Sequence, residues 1–336
     1  MSEAAVQERA HDRAAARIPV LGALAAVAGL AFLASLFVGP TGIGLPRGGD
    51  AARMILWEIR LPRAILGVLI GGALGLSGAV LQGYLRNPLA EPGLLGISGG
   101  AALGAVVAIH TGAAGAFALA LPAGGLIGAA VAALAVMLLA GERSGPLTLI
   151  LAGVAISSLA GALTTLALNL SPNPFASVEM LFWLLGSLTD RSLVHVWLAA
   201  PLILAGGALL LTTGRALDAL TLGEEAAQNL GVDLAGLRTR IVAGTALAIG
   251  AATAVAGTIG FVGLVVPHLL RPLVGHEPSR LLPASAFGGA ALVLTADVAL
   301  RLFAPLSEVR LGVVTALVGA PFFLWLIIRT RRELGP

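Results

Sequence analysis

Residues 215–240 read RALDALTLGEEAAQNLGVDLAGLRTR, and apolar sequence long enough to be embedded in a membrane lies on both sides of them. Ala219, Leu220, Leu222, Ala226, Ala227, Leu230 and Leu234 recur at spacings of three and four, which predicts a short amphipathic helix or helix pair. Gly223 and Gly231 punctuate it. Asp218, Glu224, Glu225 and Asp233 stand against Arg215, Arg238 and Arg240, so the polar side is either a plain solvated face or a surface touched by something in water. A chain that keeps one such island within apolar sequence reads as a helical membrane bundle with a single aqueous projection.

Composition agrees. Of 336 residues 58% are hydrophobic and 11% charged, and no polar stretch is long enough to fold as a soluble domain. Residues 1–17 form a polar tail, 18–329 the membrane domain with residues 215–240 as its island, and 330–336 a second short tail. Cysteine is absent, which excludes a disulfide framework and thiolate metal sites. His11, His110, His195, His268 and His276 lack ligand spacing, so no metal site is expected. The 20 basic residues are all arginine, so a phosphate-binding loop lysine is impossible and this chain does not bind ATP by that motif. The positive charges are spread over loops rather than gathered in one patch, which gives no sign of nucleic acid.

Ile18–Val38 is a 21-residue apolar run, too long for the core of a cleaved signal and read as a retained first helix. Further helices fit residues 64–85, 94–109, 117–140, 147–170, 193–213, 282–300 and 311–328, with SPNPFASVEM as a loop followed by a short apolar piece, LFWLLGS. Residues 241–270 hold 30 residues without a charge, about 45 Å if helical, against a hydrocarbon core of about 30 Å. Gly257, Gly260 and Gly263 offer a break, dividing the run into two helices around GTIGFVG and giving ten crossings. Broken backbone at membrane depth must be covered by protein or line a wet cavity.

With both termini inside, ten crossings leave seven of the 20 arginines outside: Arg47, Arg53, Arg60, Arg63, Arg191, Arg301 and Arg310. The majority inside supports that orientation. The outer arginines are either snorkelling anchors or receivers of carboxylates from a soluble partner. Within the helices Asp297 is the exceptional carboxylate, and Arg301 four residues later on the same face makes a local ion pair the plain reading. Gln82 and Asn169 read as interhelical hydrogen-bonding residues. Motifs of intramembrane enzymes are absent, and the interior is alanine, glycine, leucine and valine. Coupling to an external engine is the economical reading. A stand-alone secondary carrier with Asp297 as its coupling group is the alternative.

RLPR at Arg60–Arg63, SGAVLQGYLRNPLAEPGLLGISGGA, LILAGVAI, LGEEAAQNLGV, GFVGLVVPHLLR and LGVVTALVGAPFFLWLI follow one another from about Leu61 to Arg329. Together they resemble the permease subunits of type II ABC importers, the family that takes up cobalamin, ferric siderophores and haem. The resemblance implies ten helices per subunit, a homodimer with the pathway at its axis, two separate ATPase subunits that hold the ATP and magnesium, and a periplasmic substrate-binding protein. It also implies a bacterial inner-membrane location with both termini cytoplasmic. Thr221, Gly223, Glu224, Ala227, Leu230 and Gly231 match the helix pair that couples to the ATPase. Arg60, Arg63 and Arg301 match the outer arginines that receive glutamates from the binding protein. Ser144, Gly145 and Thr148 match the start of the helix that narrows the cytoplasmic gate. The pattern departs at Arg310, where the family often has proline; that arginine either widens the docking patch or pairs with Glu308.

Overall fold

A computed structural model describes residues 18–39, 42–44, 48–117, 119–141, 145–171, 173–303 and 309–333. The N-terminal tail, Ser144 and Glu308 lie outside the described residues. Helices dominate: α1 (Ile18–Phe37), α2 (Gly49–Tyr84), α3 (Ile97–His110), α4 (Ala120–Ala140), α5 (Pro146–Asn169), α6 (Pro174–Leu184) and α7 (Leu193–Leu211). The short pair α8 (Gly214–Leu220) and α9 (Glu224–Asn229) follows, then α10 (Leu234–Ala256), α11 (Val262–Val274), α12 (Pro278–Phe303) and α13 (Leu311–Glu333). Eight of them are long and apolar enough to cross a membrane, and α3, α6 and α11 are shorter apolar helices. A two-residue hairpin, β1 (Val38–Gly39) with β2 (Gly42–Ile43), closes the end of α1.

Two local departures from the sequence reading have plain causes. α2 begins fifteen residues before Ala64 because Pro62 does not stop it. A proline has no N–H to return to the preceding turn, and the chain carries a π turn at Ile55–Arg60 just before it. From Pro174 onward the expected loop SPNPFASVEM is instead the first part of α6: Asn173 Oδ1 accepts from Ala176 N at 2.9 Å and Pro174 opens the helix, a start signal present in the sequence. The island forms a helix pair, with Gly223 and Gly231 in the left-handed region at φ 104° and 84°.

The most apolar windows of α2 and α10 are 78% and 72% buried, whereas those of α1 and α13 are 11% and 22% buried. The first pair is therefore the axis of the subunit and the second its periphery. Glycine makes the close approaches. α2 crosses α12 where Gly71 faces Gly289; a Cβ on Gly71 would collide with the Gly289 carbonyl oxygen and lie 2.8 Å from Ala290 Cα. Gly78 likewise meets the Gly263 carbonyl at the start of α11.

Gly71→Val is expected to lower the unfolding temperature of the detergent-solubilised protein, corresponding to roughly 2 kcal/mol or more of overpacking. Gly29→Val, at a position with nothing within 4 Å of its would-be Cβ, should melt as the parent does.

Candidate functional site

Three places depart from plain helix packing, and they span the subunit from end to end. At one end sits the island. Leu217, Leu220 and Ala227 are buried beneath α8 and α9, while Leu222 and Leu230 are 69% and 67% exposed. Asp218 Oδ1 accepts from Ser279 N at 2.8 Å, so α8 caps the first turn of α12. Arg86, just past the end of α2, lies 3.5 Å from Glu224, an exposed pair that adds little stability but fixes which end of α2 the island covers. Between the island and the start of α5 lies a cavity of about 500 Å³, bounded by Tyr84, Gly145, Pro146, Glu224, Gln228 and Arg238. It brings Gly145 and Glu224, from two separately predicted sites, into the lining of one cavity.

The second place is the break. α10 ends at Gly257, whose φ of 73° ends the right-handed turn, and α11 starts after Phe261, a non-glycine residue at φ 66°. The segment after α6 and the start of α13 pack against the break and are bonded to it and to each other. Ser187 N donates to Ala256 O at 2.7 Å, Gly312 N to Gly186 O at 3.2 Å, and Thr258 Oγ1 to Leu184 O. Gln82 Nε2 donates to Gly263 O and Leu264 O at 3.3 Å each, and Arg271 Nη2 donates to Gln82 Oε1 at 2.7 Å. Gln82 is thus the interhelical residue its sequence position suggested. Asn169 is not: its amide returns to Thr165 O of its own helix at 2.9 Å. Glu91 was not singled out in the sequence, yet it shares a small cavity with Ser98, Thr258 and Phe261 at the break. Only the chain path that returns residues 87–96 toward α11 reveals it.

The third place is the opposite end of α2. Asp297, 1% exposed, is shared between two helices' arginines. Arg63 Nε lies 3.0 Å from both its oxygens and Arg63 Nη2 2.7 Å from Oδ1, while Arg301 Nη2 lies 2.7 Å from Oδ2. Arg301 Nη1 also donates to Ser35 O at 2.9 Å and Val38 O at 2.7 Å, and Nη2 to Ser35 Oγ at 2.7 Å. Arg60 Nη1 donates to Leu36 O and Gly44 O at 2.8 Å each. The last turn of α1 would otherwise leave carbonyls unpartnered, and two arginines occupy them. The local Asp297–Arg301 pair is present, but the Arg63 partner, 234 positions away, had no signal in the sequence.

Of the expected outer arginines, Arg60, Arg63 and Arg301 therefore gather around the end of α1. Arg310 stands apart, its guanidinium carbon 4.9 Å from the centre of the Phe182 ring. In the island Thr221 and Leu230 face out, Glu224 is half-exposed, and Ala227 is fully buried. Thr148 is exposed one turn into α5, and Ser144 falls outside the described residues.

The sequence profile of the FecCD transport family matches residues 26–329. The cobalamin import system permease protein BtuC of Halobacterium salinarum is 39% identical across 87% of this chain and 77% of that protein. The hemin transport system permease protein HmuU of Yersinia pestis is 41% identical across 84% of this chain and 86% of its own length. A solved metal-chelate type ABC transporter in an inward-facing conformation superposes with a TM-score of 0.84 at 31% identity, over 93% of this chain and 99% of that one. A match across nearly the whole membrane domain, with the break, the island and the arginine cluster all inside it, leaves one assignment: this multi-pass membrane chain is a transport permease of the FecCD family.

Proposed function

We propose that this chain is the membrane subunit of an ATP-driven importer that carries a bulky iron complex, a ferric siderophore or haem, or else cobalamin, from an external binding protein into the cytoplasm by alternating access. The observation that carries this reading is the state of Asp297. Among the described residues it is the one carboxylate buried in the bundle, and two guanidiniums hold both its oxygens. With both oxygens engaged and the side chain closed off from solvent, a transported ion has no free ligand position on Asp297, which argues against the secondary carrier. Energy then has to arrive from outside, and the island is the surface built to receive it. Its exposed Leu222 and Leu230, at an aqueous end of the bundle, ask for a covering partner. Two ATPase subunits are that partner, contacting Thr221, Gly223, Glu224, Leu230 and Gly231 while Ala227 packs the island from within.

Two copies of the chain would form the pathway between them, with ten crossings each and both termini in the cytoplasm of a bacterial inner membrane. α5 and α13 bury little of themselves within one subunit, and an apolar groove runs beside Leu185, Phe261, Val313 and Leu317. The second copy covers these faces. Gly145 and Thr148 then narrow the inner mouth, moved by the island across the cavity they share. The binding protein settles on the other end, where Arg63, Arg310 and their neighbours provide positive charge; Arg60 and Arg301 serve that face by holding the end of α1.

Leu222→Asp with Leu230→Asp is expected to abolish co-purification of the ATPase while shifting unfolding by no more than about 0.5 kcal/mol. Ala227→Asp should instead cost roughly 3 kcal/mol in stability, because it buries an unpaired charge. Retention of the ATPase by the double leucine variant would remove the island from the coupling role. Because the chain has no cysteine, Thr148→Cys gives a single thiol. Mild oxidation should yield a disulfide-linked dimer whose amount changes when ATP is added, and a chain that stays monomeric on a denaturing gel would contradict the axial position of α5.

A further inference from the structure

We propose that Asp297 is a positioning residue for the binding-protein interface: it clamps the Arg63 guanidinium by one edge so that the other edge is presented to a carboxylate of the docking protein. The inference rests on the docking role of Arg63 proposed above and adds the residue that acts through it.

An arginine offers two edges to a carboxylate, one made by Nε and Nη2 and the other by the two terminal nitrogens. Asp297 takes the first edge of Arg63, with Nε 3.0 Å from both oxygens and Nη2 2.7 Å from Oδ1. Among the described residues Arg63 Nη1 donates to nothing. Exposure divides the cluster in the same sense: side chains of Arg63, Arg301 and Asp297 are 14%, 6% and 1% accessible, so Arg63 is the one an external group can reach. Arg301 has all its engaged nitrogens turned inward, on Ser35, Val38 and Asp297. Arg60 is likewise turned inward, on Leu36 and Gly44. Two guanidiniums share one carboxylate, and Arg60 beside them is bonded to neutral carbonyls, so the cluster remains short of negative charge, and a second carboxylate on the open edge of Arg63 complements it.

The arrangement also removes an entropic penalty. A free arginine must give up its rotamer freedom when a partner binds, whereas Arg63 is already fixed by hydrogen bonds to a buried, immobile carboxylate. Asp297 cannot meet the partner itself, since its carboxylate lies beneath both arginines; its effect must pass through Arg63. Arg301, bonded to the other oxygen, keeps Asp297 from swinging away.

The test is a double-mutant cycle on the complete transporter, reconstituted in nanodiscs, with affinity for its own substrate-binding protein measured by surface plasmon resonance. Arg63→Gln is expected to weaken binding about tenfold, and Asp297→Asn to weaken it by a similar factor in the parent. In the Arg63→Gln background the Asp297→Asn change should cost less than about twofold. An equal loss in both backgrounds would mark Asp297 as merely structural, and unchanged or tighter binding by Asp297→Asn alone would also overturn the inference. Failure of Arg63→Gln to weaken binding would overturn the docking role itself and the inference with it, so the two failures are distinguishable. Should Asp297→Asn not assemble, Arg63→Lys carries the test: it keeps the charge but has no second edge, and is expected to bind nearly as weakly as Arg63→Gln. Parent-like binding by Arg63→Lys would overturn the inference.

Discussion

Backbone that leaves the helical ladder inside or at the edge of a bilayer has to find its hydrogen bonds within the protein, and this requirement organises both ends and the middle of the subunit. At the end of α1 the carbonyls of Ser35, Leu36 and Val38 are taken up by Arg301 and Arg60. At the break between α10 and α11 the carbonyl of Ala256 is met by Ser187 N, and those of Gly263 and Leu264 by Gln82. Each solution ties distant parts of the chain together. The arginines join α1, α2 and α12, and Gln82 with Arg271 joins α2 to α11. What begins as the satisfaction of polar groups ends as the framework on which the rest packs.

That framework leaves the central helices close-packed and the outer ones exposed. Glycines let α2 and α12 approach to backbone contact, so their relative position has little room to vary. α5 and α13 bury less of themselves within the subunit and carry wide apolar faces, which is where the proposed second copy would pack. A close-packed centre with less buried flanks agrees with the alternating access proposed above, which needs two arrangements of some helices about others that do not deform.

Much of this was legible in the chain. The long uncharged run from Ile241 to Leu270 forces a break, and Gly257 marks where it falls. The three- and four-residue spacing in the island foretells the helix pair, and the lone carboxylate at Asp297 points to Arg301 four residues on. The rest depended on tertiary proximity. Arg63 and Arg301 look alike as outer arginines, yet one presents an edge and the other is consumed by the end of α1, a difference created by where α1 stops. Glu91 sits in a turn whose sequence says nothing of the cavity it shares with Phe261. The start of α6 at Asn173 and Pro174 is ambiguous in sequence, because both residue types serve turns as well as helix starts.

On the proposed function no ion gradient is coupled through this bundle, and the work enters at the island. Substrate uptake by the complete transporter in proteoliposomes tests it most directly, with ionophores collapsing the proton and sodium gradients and ATP supplied to the side that carries the island. Uptake that proceeds at an undiminished rate under these conditions, and stops when ATP is withheld, is the predicted result. Uptake that runs without ATP on an imposed ion gradient, and is lost in Asp297→Asn, would contradict the account and restore Asp297 as the coupling group.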